Sequence, residues 1–303
     1  MKSLAMNEQN KFRERKDQYF RLLFRLTGIL TIIILGAILF MLLYNSIAFF
    51  TNHAPIDFLT GSQWNPGIKP RGNYGILPLI MGTLLVTFGA MVIAVPIGIL
   101  SAAYISEFAG TRLKTWLKPF IEMLSAIPSV AIGFLGIVII GPGLAKVFGI
   151  QNGLNALNGS ILLAIMSLPT IITVAEDAIH AIPDAYKEAS LALGANKWET
   201  LFKVTIPSAL PGLIAAVMLG LGRAIGETMT VLMATGNALA FPEGYLDPVR
   251  TITATIAIEM GEVPYQTTHY FALFAIATVL FLITLLVNIT GERIAKHYRK
   301  FTA

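Results

Sequence analysis

Six stretches of this 303-residue chain stay apolar for about the length that a helix needs to cross a bilayer, roughly 20 residues each. They fall at 22–50, 77–104, 119–140, 160–180, 209–235 and 269–290. None alternates apolar and polar positions as a barrel strand does, and isolated strands cannot satisfy their backbone groups in lipid. The pattern predicts an all-α membrane protein with six transmembrane helices. The first run is too long for a signal-peptide core and lacks a small-residue cleavage site after it, so it reads as a retained span. The chain then divides into an N-terminal segment (1–21), a six-helix domain (22–290) and a short tail (291–303).

Composition sharpens this picture. Apolar residues make up 55% and charged residues 13%, with a mean hydropathy of +0.70. A soluble domain carries nearer a quarter charged residues. The net charge of +5 does not mark a nucleic-acid binder, because Lys and Arg gather at span ends and in loops. Lys11, Arg13, Arg15, Lys16, Arg21 and Arg25 precede or open the first span, and Arg293 to Lys300 close the chain. An even number of spans puts both termini on one side, and the positive-inside rule makes that side the cytoplasm. Loops 105–118 (Arg112, Lys114, Lys118) and 181–208 (Lys187, Lys197, Lys203) fall on the same side. The outer segments 51–76, 141–159 and 236–268 hold only Lys69, Arg71, Lys146 and Arg250. Two of them, with Trp64-Asn-Pro-Gly67 and Phe241-Pro-Glu-Gly-Tyr245, are long and rich in Gly, Pro, Asn and aromatics and read as packed caps. Cysteine is absent, which excludes disulfides, thiolate metal sites and a cysteine nucleophile.

The loop 183–207 does not read as a linker. Pro183 and Asp184 open a helix that runs through good helix formers to Leu193. Gly194 supplies a bent or left-handed position, and Asn196 can cap a second short helix carrying Trp198, Leu201, Phe202 and Val204. Pro207 ends that helix and Pro211 opens the next span. The result is helix–Gly–helix along the cytoplasmic face, with an apolar ridge that must pack on something.

A charge inside a span is the strongest chemical signal. Arg223 lies twelve residues from either end of the apolar segment Pro211–Thr235, with Glu227 one helical turn later. That is about 18 Å each way, against a hydrocarbon half-thickness of about 15 Å. Its flexible stem snorkels by only a few Å. Such a charge faces the protein interior or a water-filled path. Arg offers a planar fork of donors suited to an oxyanion, and Glu227 at i+4 can neutralise it between substrates. Thr228 and Thr230 add hydroxyls. Two readings stay open: a switchable anion site, in which substrate replaces Glu227 as the partner of Arg223, or a permanent ion pair bracing helices or subunits. Gly222 and Gly226 form a small-residue face that permits close helix approach and places both charges in the bundle interior.

The spacing Glu188-Ala189-Ser190, then Gly194, then Val204-Thr-Ile-Pro207 resembles the EAA motif of ABC importer permeases. The departures are Ser190 for Ala, Val204 for Ile and Ile206 for Leu. Between about residues 58 and 290 the chain is similar to permeases of the phosphate-specific (Pst) ABC importer. The matching motifs are Trp64-Asn-Pro66, Tyr74-Gly-Ile-Leu-Pro78, Gly82-Thr83, Pro96-Ile-Gly98, Ile127-Pro-Ser-Val130 and Gly133-Phe134. The run Gly222-Arg-Ala-Ile-Gly-Glu-Thr-Met229 lies closer to the PstC type than to PstA. The resemblance implies the type I importer (MetI-like) permease fold, a multi-pass place in a bacterial cell membrane, and phosphate import. It implies that the 183–207 loop docks on a cytoplasmic ATPase, with Glu188, Ala189, Ser190, Gly194 and Pro207 its coupling residues. It implies that Arg223 and Glu227 line the substrate path, to which the hydroxyls of Thr228 and Thr230 add donors. The implied partners are a PstA-like second permease, two copies of a PstB-like ATPase and a PstS-like extracytoplasmic phosphate-binding protein.

No Gly-x4-Gly-Lys-Ser/Thr loop occurs, so ATP and Mg belong to the partner ATPase, and this chain carries no cofactor or catalytic residue of its own. Glu176, Asp177 and His180 share one helix face with metal-compatible spacing, but a solvated rim at the end of the fourth span explains them and no metal site is assigned. Glu259, Glu262 and His269 sit near the last cap. A permease for molybdate or sulfate keeps the class and changes the cargo. An ion-coupled secondary transporter is the alternative from another class, disfavoured by the EAA-like loop and the lack of an inverted repeat.

Overall fold

A computed structural model describes residues 2–67 and 72–299, with side chains described from residue 17 to residue 298. Lys69 and Arg71 lie outside the described residues, as do the side chains of Lys11, Arg13, Arg15, Lys16 and Lys300. In chain order the elements are α1 (Lys2–Phe50), α2 (Pro55–Thr60), β1 (Trp64–Asn65), β2 (Asn73–Tyr74), α3 (Leu77–Glu107), α4 (Thr111–Ser125), α5 (Ser129–Leu135) and α6 (Gly141–Phe148). There follow α7 (Ala156–His180), α8 (Asp184–Ala192), α9 (Lys197–Thr200), α10 (Ile206–Gly226), α11 (Met229–Ala234), α12 (Ile252–Glu259) and α13 (Thr268–Arg299). The two strands form one short antiparallel pair.

Six stretches are long and apolar enough to cross a membrane: Asp17–Phe50, Leu77–Glu107, Ser129–Phe148, Ala156–His180, Lys197–Gly226 and Thr268–Tyr298. The number matches the sequence expectation, and two of the expected spans need correction. The third does not begin at residue 119, because α4 is a separate amphipathic helix. It ends before Pro128, whose ring disfavours helical backbone at Ile127. The span starts at Ser129 and runs beyond residue 140 to Phe148, so part of an expected outer segment belongs to this long apolar helix. The fifth span is not continuous over 209–235 but breaks at Glu227 and Thr228.

Two wide turns explain how proline sits inside otherwise continuous helix. Gly136–Ile140 and Leu201–Thr205 are π-helical, and each is followed two residues later by a proline, Pro142 and Pro207. The N–H groups of Gly141 and Ile206 reach back to the carbonyls of Gly136 and Leu201. Widening the turn removes the clash between a proline ring and the carbonyl of the preceding turn. Pro207 therefore does not end the short helix of the loop, which runs through into α10.

The core is built from small residues, because helices in lipid associate by close packing. α7 is its centre and packs mainly on α3 and α10. A Cβ on Gly98 would meet Ile171 Cγ2 at 2.6 Å, and one on Gly212 would meet the Ala178 Cβ at 2.4 Å. Buried alanines Ala90, Ala94, Ala102, Ala103, Ala164, Ala175, Ala209 and Ala216 line the same seams. Asn158, fully buried, donates through Nδ2 to the carbonyls of Gly136 and Gly153 and so ties the third span to α7.

Two poles cap this core. At the cap pole, α2, the strand pair and α12 surround Trp64, Phe58 and Phe49, all buried. Burial there pushes the Tyr74 phenol above its ordinary pKa. At the loop pole, α8 and α9 hang from the ends of α3 and α10.

Candidate functional site

The break in the fifth span is the site on which the chemistry converges. α10 runs antiparallel to α7, with Gly212 against Ala178 and Gly220 against Ile171 and Ser167. This register puts Arg223 beside Thr170, roughly the middle of α7, and its Nη1 donates to Thr170 Oγ1 at 3.3 Å. Arg223 is level with the middle of α7 but in the last turn of its own helix, and the expected partner does not stand. α10 ends at Gly226, and Glu227 has extended backbone (φ −69°, ψ 134°), so it is not the i+4 neighbour of Arg223 on a helix. Among the described residues no ion pair joins the two.

Each charge instead serves one end of the break. Arg223 lies in the last turn of α10, where a cation complements the unmet carbonyls and the helix dipole. The Glu227 side chain accepts from the Thr230 N–H at 3.2 Å, a carboxylate capping the start of α11. Its backbone carbonyl, freed by the break, accepts from Thr253 Oγ1 at 2.8 Å. Non-helical backbone at this depth persists only where protein or a water-filled cavity meets its polar groups. Broken helices of this kind build substrate sites in many transporters.

The flanking threonines differ. Thr230 is fully buried, its hydroxyl donating to the Ser129 carbonyl at 3.1 Å, so it clamps α11 to the start of α5. That clamp brings the turn at Pro128, just before the third span, against the break of the fifth. The Thr228 hydroxyl has only a long contact of 3.4 Å with the Gly226 carbonyl. The glycine expectation also needs correction. A Cβ on Gly222 or Gly226 would meet nothing within 4 Å, whereas one on Gly220 would meet Ile171 Cγ1 at 2.6 Å. Close approach to α7 occurs at Gly212 and Gly220. Gly222 and Gly226 lie on the open face with Leu219 (55% exposed) and Met229.

That open face decides the electrostatics of Arg223. A guanidinium has five N–H donors, and this one gives a single bond to Thr170. Among the described residues no other hydrogen-bond or ion-pair partner meets the remaining donors, and Arg223 is half-buried. A half-buried guanidinium with most donors unmet has the chemistry to take an oxyanion.

The loop pole has the geometry expected of it, with one change at Pro207. α8 buries none of its residues, and Glu188 and Ala189 are exposed. Gly194 has φ +88°, and a Cβ there would meet nothing within 4 Å, so the requirement for glycine is conformational. Asn196 and Glu199 form a reciprocal capping box at the start of α9. Ser190 and Thr200 share a hydroxyl hydrogen bond of 2.9 Å that fixes α8 on α9. Lys187 pairs with Glu107 at 2.8 Å, and Trp198 stacks on Phe108 with centroids 4.4 Å apart. The loop is thus bolted to the end of α3 as well as to α10. Leu193 is 90% exposed, and Tyr186, Leu191 and Phe202 are exposed too.

Two polar clusters carry little signal in the sequence. Glu176 is buried with its carboxylate 2.6 Å from Lys118 Nζ, so it anchors α4 rather than forming a solvated rim with Asp177 and His180. At the cap pole Glu259 accepts from Trp64 Nε1 (3.0 and 3.1 Å), Arg250 Nη1 (3.0 Å) and His269 Nε2 (2.8 Å). Arg250 Nε also donates to the Asn237 carbonyl at 3.0 Å, joining this hub to the loop after α11. Glu262, its neighbour in sequence, is exposed.

The six-span bundle, the broken fifth helix and the projecting helix–Gly–helix define a membrane component of a transport system. The chain belongs to the family of binding-protein-dependent transport system inner membrane components, which matches residues 94–300. Within that family it is PstC-like. It is 34% identical to the phosphate transport system permease protein PstC of Pasteurella multocida (strain Pm70), across 88% of each chain. It is 34% identical to PstC 1 of Mycobacterium tuberculosis (strain ATCC 25618 / H37Rv), across 78% of this chain and 80% of the relative. A probable ABC transporter permease protein, YqgH of Bacillus subtilis (strain 168), is 39% identical across 79% of each chain. In fold the chain resembles the inward-facing MetNI methionine ABC transporter, with a TM-score of 0.55 and 22% identity, over 74% of this chain and 94% of that one. The protein is a multi-pass component of a bacterial inner membrane.

Proposed function

We propose that this chain is the transmembrane permease subunit of an ATP-driven phosphate importer, and that Arg223 is an anion waypoint on its path. The observation that carries the cargo is the similarity to PstC phosphate transport permeases over most of the chain. What supports the waypoint is a guanidinium at mid-span with one protein partner and an open face. Phosphate at neutral pH carries one to two negative charges, and its oxygens match the planar fork of Arg. With no substrate, Thr170 and the carbonyl end of α10 keep the cation solvated. These weak competitors let phosphate bind and leave, which a dedicated carboxylate partner would hinder.

The chain itself carries no catalytic role in this reading. The loop pole faces the cytoplasm, and α8 with the exposed Leu193, Tyr186 and Leu191 docks on a PstB-like ATPase that holds ATP and Mg. Glu188, Ala189, Ser190, Gly194 and Pro207 form the coupling segment. Movement of the docked loop reaches α3 through Lys187–Glu107 and reaches α10 directly. A PstA-like second permease covers the open face of α5 and α10, and a PstS-like binding protein delivers phosphate at the cap pole. Glu227 shapes the break by capping α11, Thr228 faces the path, and Thr230 braces it.

The test is labelled phosphate uptake in cells whose own permease is replaced by this chain. Arg223→Gln is expected to lower uptake at least tenfold while the ATPase subunit still co-purifies. Unchanged uptake in an assembled complex would remove Arg223 from the path. Competition of phosphate uptake by sulfate or molybdate as effective as by phosphate itself would move the cargo to that anion.

A further inference from the structure

Thr170 is the residue at this site that neither the motifs nor the spacing singled out. Threonines inside these helices mostly spend their hydroxyl on the carbonyl of the preceding turn. Thr83 donates to Leu79, Thr255 to Thr251, Thr278 to Phe274 and Thr284 to Leu280, at 2.8 to 3.1 Å. Thr170 makes no such bond. Its oxygen accepts from Arg223 Nη1, which leaves the hydroxyl hydrogen uncommitted.

The surroundings keep that hydrogen free and within reach of the open face. Thr170 is partly exposed, and one helical turn further along α7 Thr173 is exposed on the same side. Gly220 lets α10 approach Ile171 and Ser167, which brings the guanidinium onto the hydroxyl from the side. Arg223 keeps N–H groups and Thr170 an O–H that no described residue takes, on side chains 3.3 Å apart. An anion oxygen seated there receives both, while the Thr170 oxygen continues to hold Arg223 in line.

We propose that Thr170 is a second ligand of the anion at this waypoint, donating its hydroxyl to a phosphate oxygen while its oxygen orients Arg223. This rests on the anion-path reading of Arg223 and adds to it a named hydrogen-bond donor on a different helix. The hydroxyl is the working group. Serine supplies it and valine, of nearly the same shape, does not.

The test uses the whole transporter in proteoliposomes with its binding protein and ATP. It reads labelled phosphate taken up and ATP hydrolysed in the same vesicles. Thr170→Val is expected to lower phosphate transported per ATP about tenfold, the loss of one hydrogen bond to a charged group. Thr170→Ser is expected to recover at least half of the wild-type ratio. In an Arg223→Gln background, Thr170→Val is expected to add less than a further twofold, because the two act on one anion. A Thr170→Val protein with a normal ratio beside an impaired Arg223→Gln protein would overturn this inference and leave the Arg223 reading standing. Failure of Thr170→Ser to recover the ratio, or fully multiplicative effects in the double variant, would overturn it too. Normal transport by both single variants would overturn the waypoint itself.

Discussion

Replacing Glu259 with leucine tests how the cap pole is held together. Its carboxylate is 14% exposed and accepts from Trp64, Arg250 and His269, while the Arg250 side chain is 16% exposed. Glu259→Leu strands the Arg250 charge, and breaking a buried pair from one side costs about 3–5 kcal/mol. Arg250 keeps its bond to the Asn237 carbonyl, which places the loss at the lower end of that range. The orphaned Trp64 N–H adds about 1–3 kcal/mol. The expected loss is about 4–6 kcal/mol, or a midpoint lowered by roughly 8–20 °C at a few degrees per kcal/mol. The measurement is thermal unfolding of the purified transporter in detergent, with Glu262→Gln as an exposed control expected within about 0.5 kcal/mol of wild type. Adding Arg250→Met to Glu259→Leu should recover about 3 kcal/mol of the loss, because it removes the stranded charge but not the orphaned Trp64 N–H. A Glu259→Leu midpoint equal to wild type, or no recovery in the double variant, would refute the account.

Gly220→Leu drives a side chain into Ile171, separates α10 from α7 and costs about 1–3 kcal/mol, with phosphate uptake falling as the Arg223–Thr170 contact is lost. Gly222→Leu, on the open face, should leave the thermal midpoint of the isolated chain within 2–3 °C by the usual size scaling, about 1 kcal/mol. Gly194→Val faces a positive φ that a β-branched residue resists by about 1–3 kcal/mol, and ATPase co-purification should drop. Gly194→Asn, which tolerates that conformation, should retain it. Glu227→Ala removes the acceptor for the Thr230 N–H and should destabilise α11 by about 0.5–2 kcal/mol, whereas Glu227→Gln keeps an acceptor and should lose less. Equal losses, read by thermal unfolding, would show that charge rather than capping matters.

What the open face of Arg223 adds is a division of labour between neighbouring polar residues. Thr230 and Glu227 hold the broken span in shape, and in the proposed reading Arg223 with Thr170 is left to meet a ligand. A pair of opposite charges four residues apart invites the reading of a permanent ion pair. The backbone at Glu227 forbids the helix on which that pairing depends.

The six spans, the amphipathic helix–Gly–helix, the left-handed turn at Gly194 and the depth of Arg223 are local or one-dimensional properties. Apolar run length, glycine at a bend and a charge far from both ends of a span are each fixed by residues near in sequence. They were legible there for that reason. The break at Glu227, the extension of the third span to Phe148 and the continuity of helix through Pro207 depend on where freed backbone groups find partners. Those partners are Thr253 for the Glu227 carbonyl and, for the prolines, a widened turn. Thr170 and the Glu259 hub join residues far apart in the chain, Arg223 with a helix fifty residues earlier and Glu259 with Trp64, 195 residues before it. Sequence alone determined that this protein crosses a membrane and carries a cation within an apolar segment. Only the tertiary structure decided which groups meet that charge, because hydrogen bonding across helices is set by packing register, and packing register is set by where two glycines let α10 close on α7.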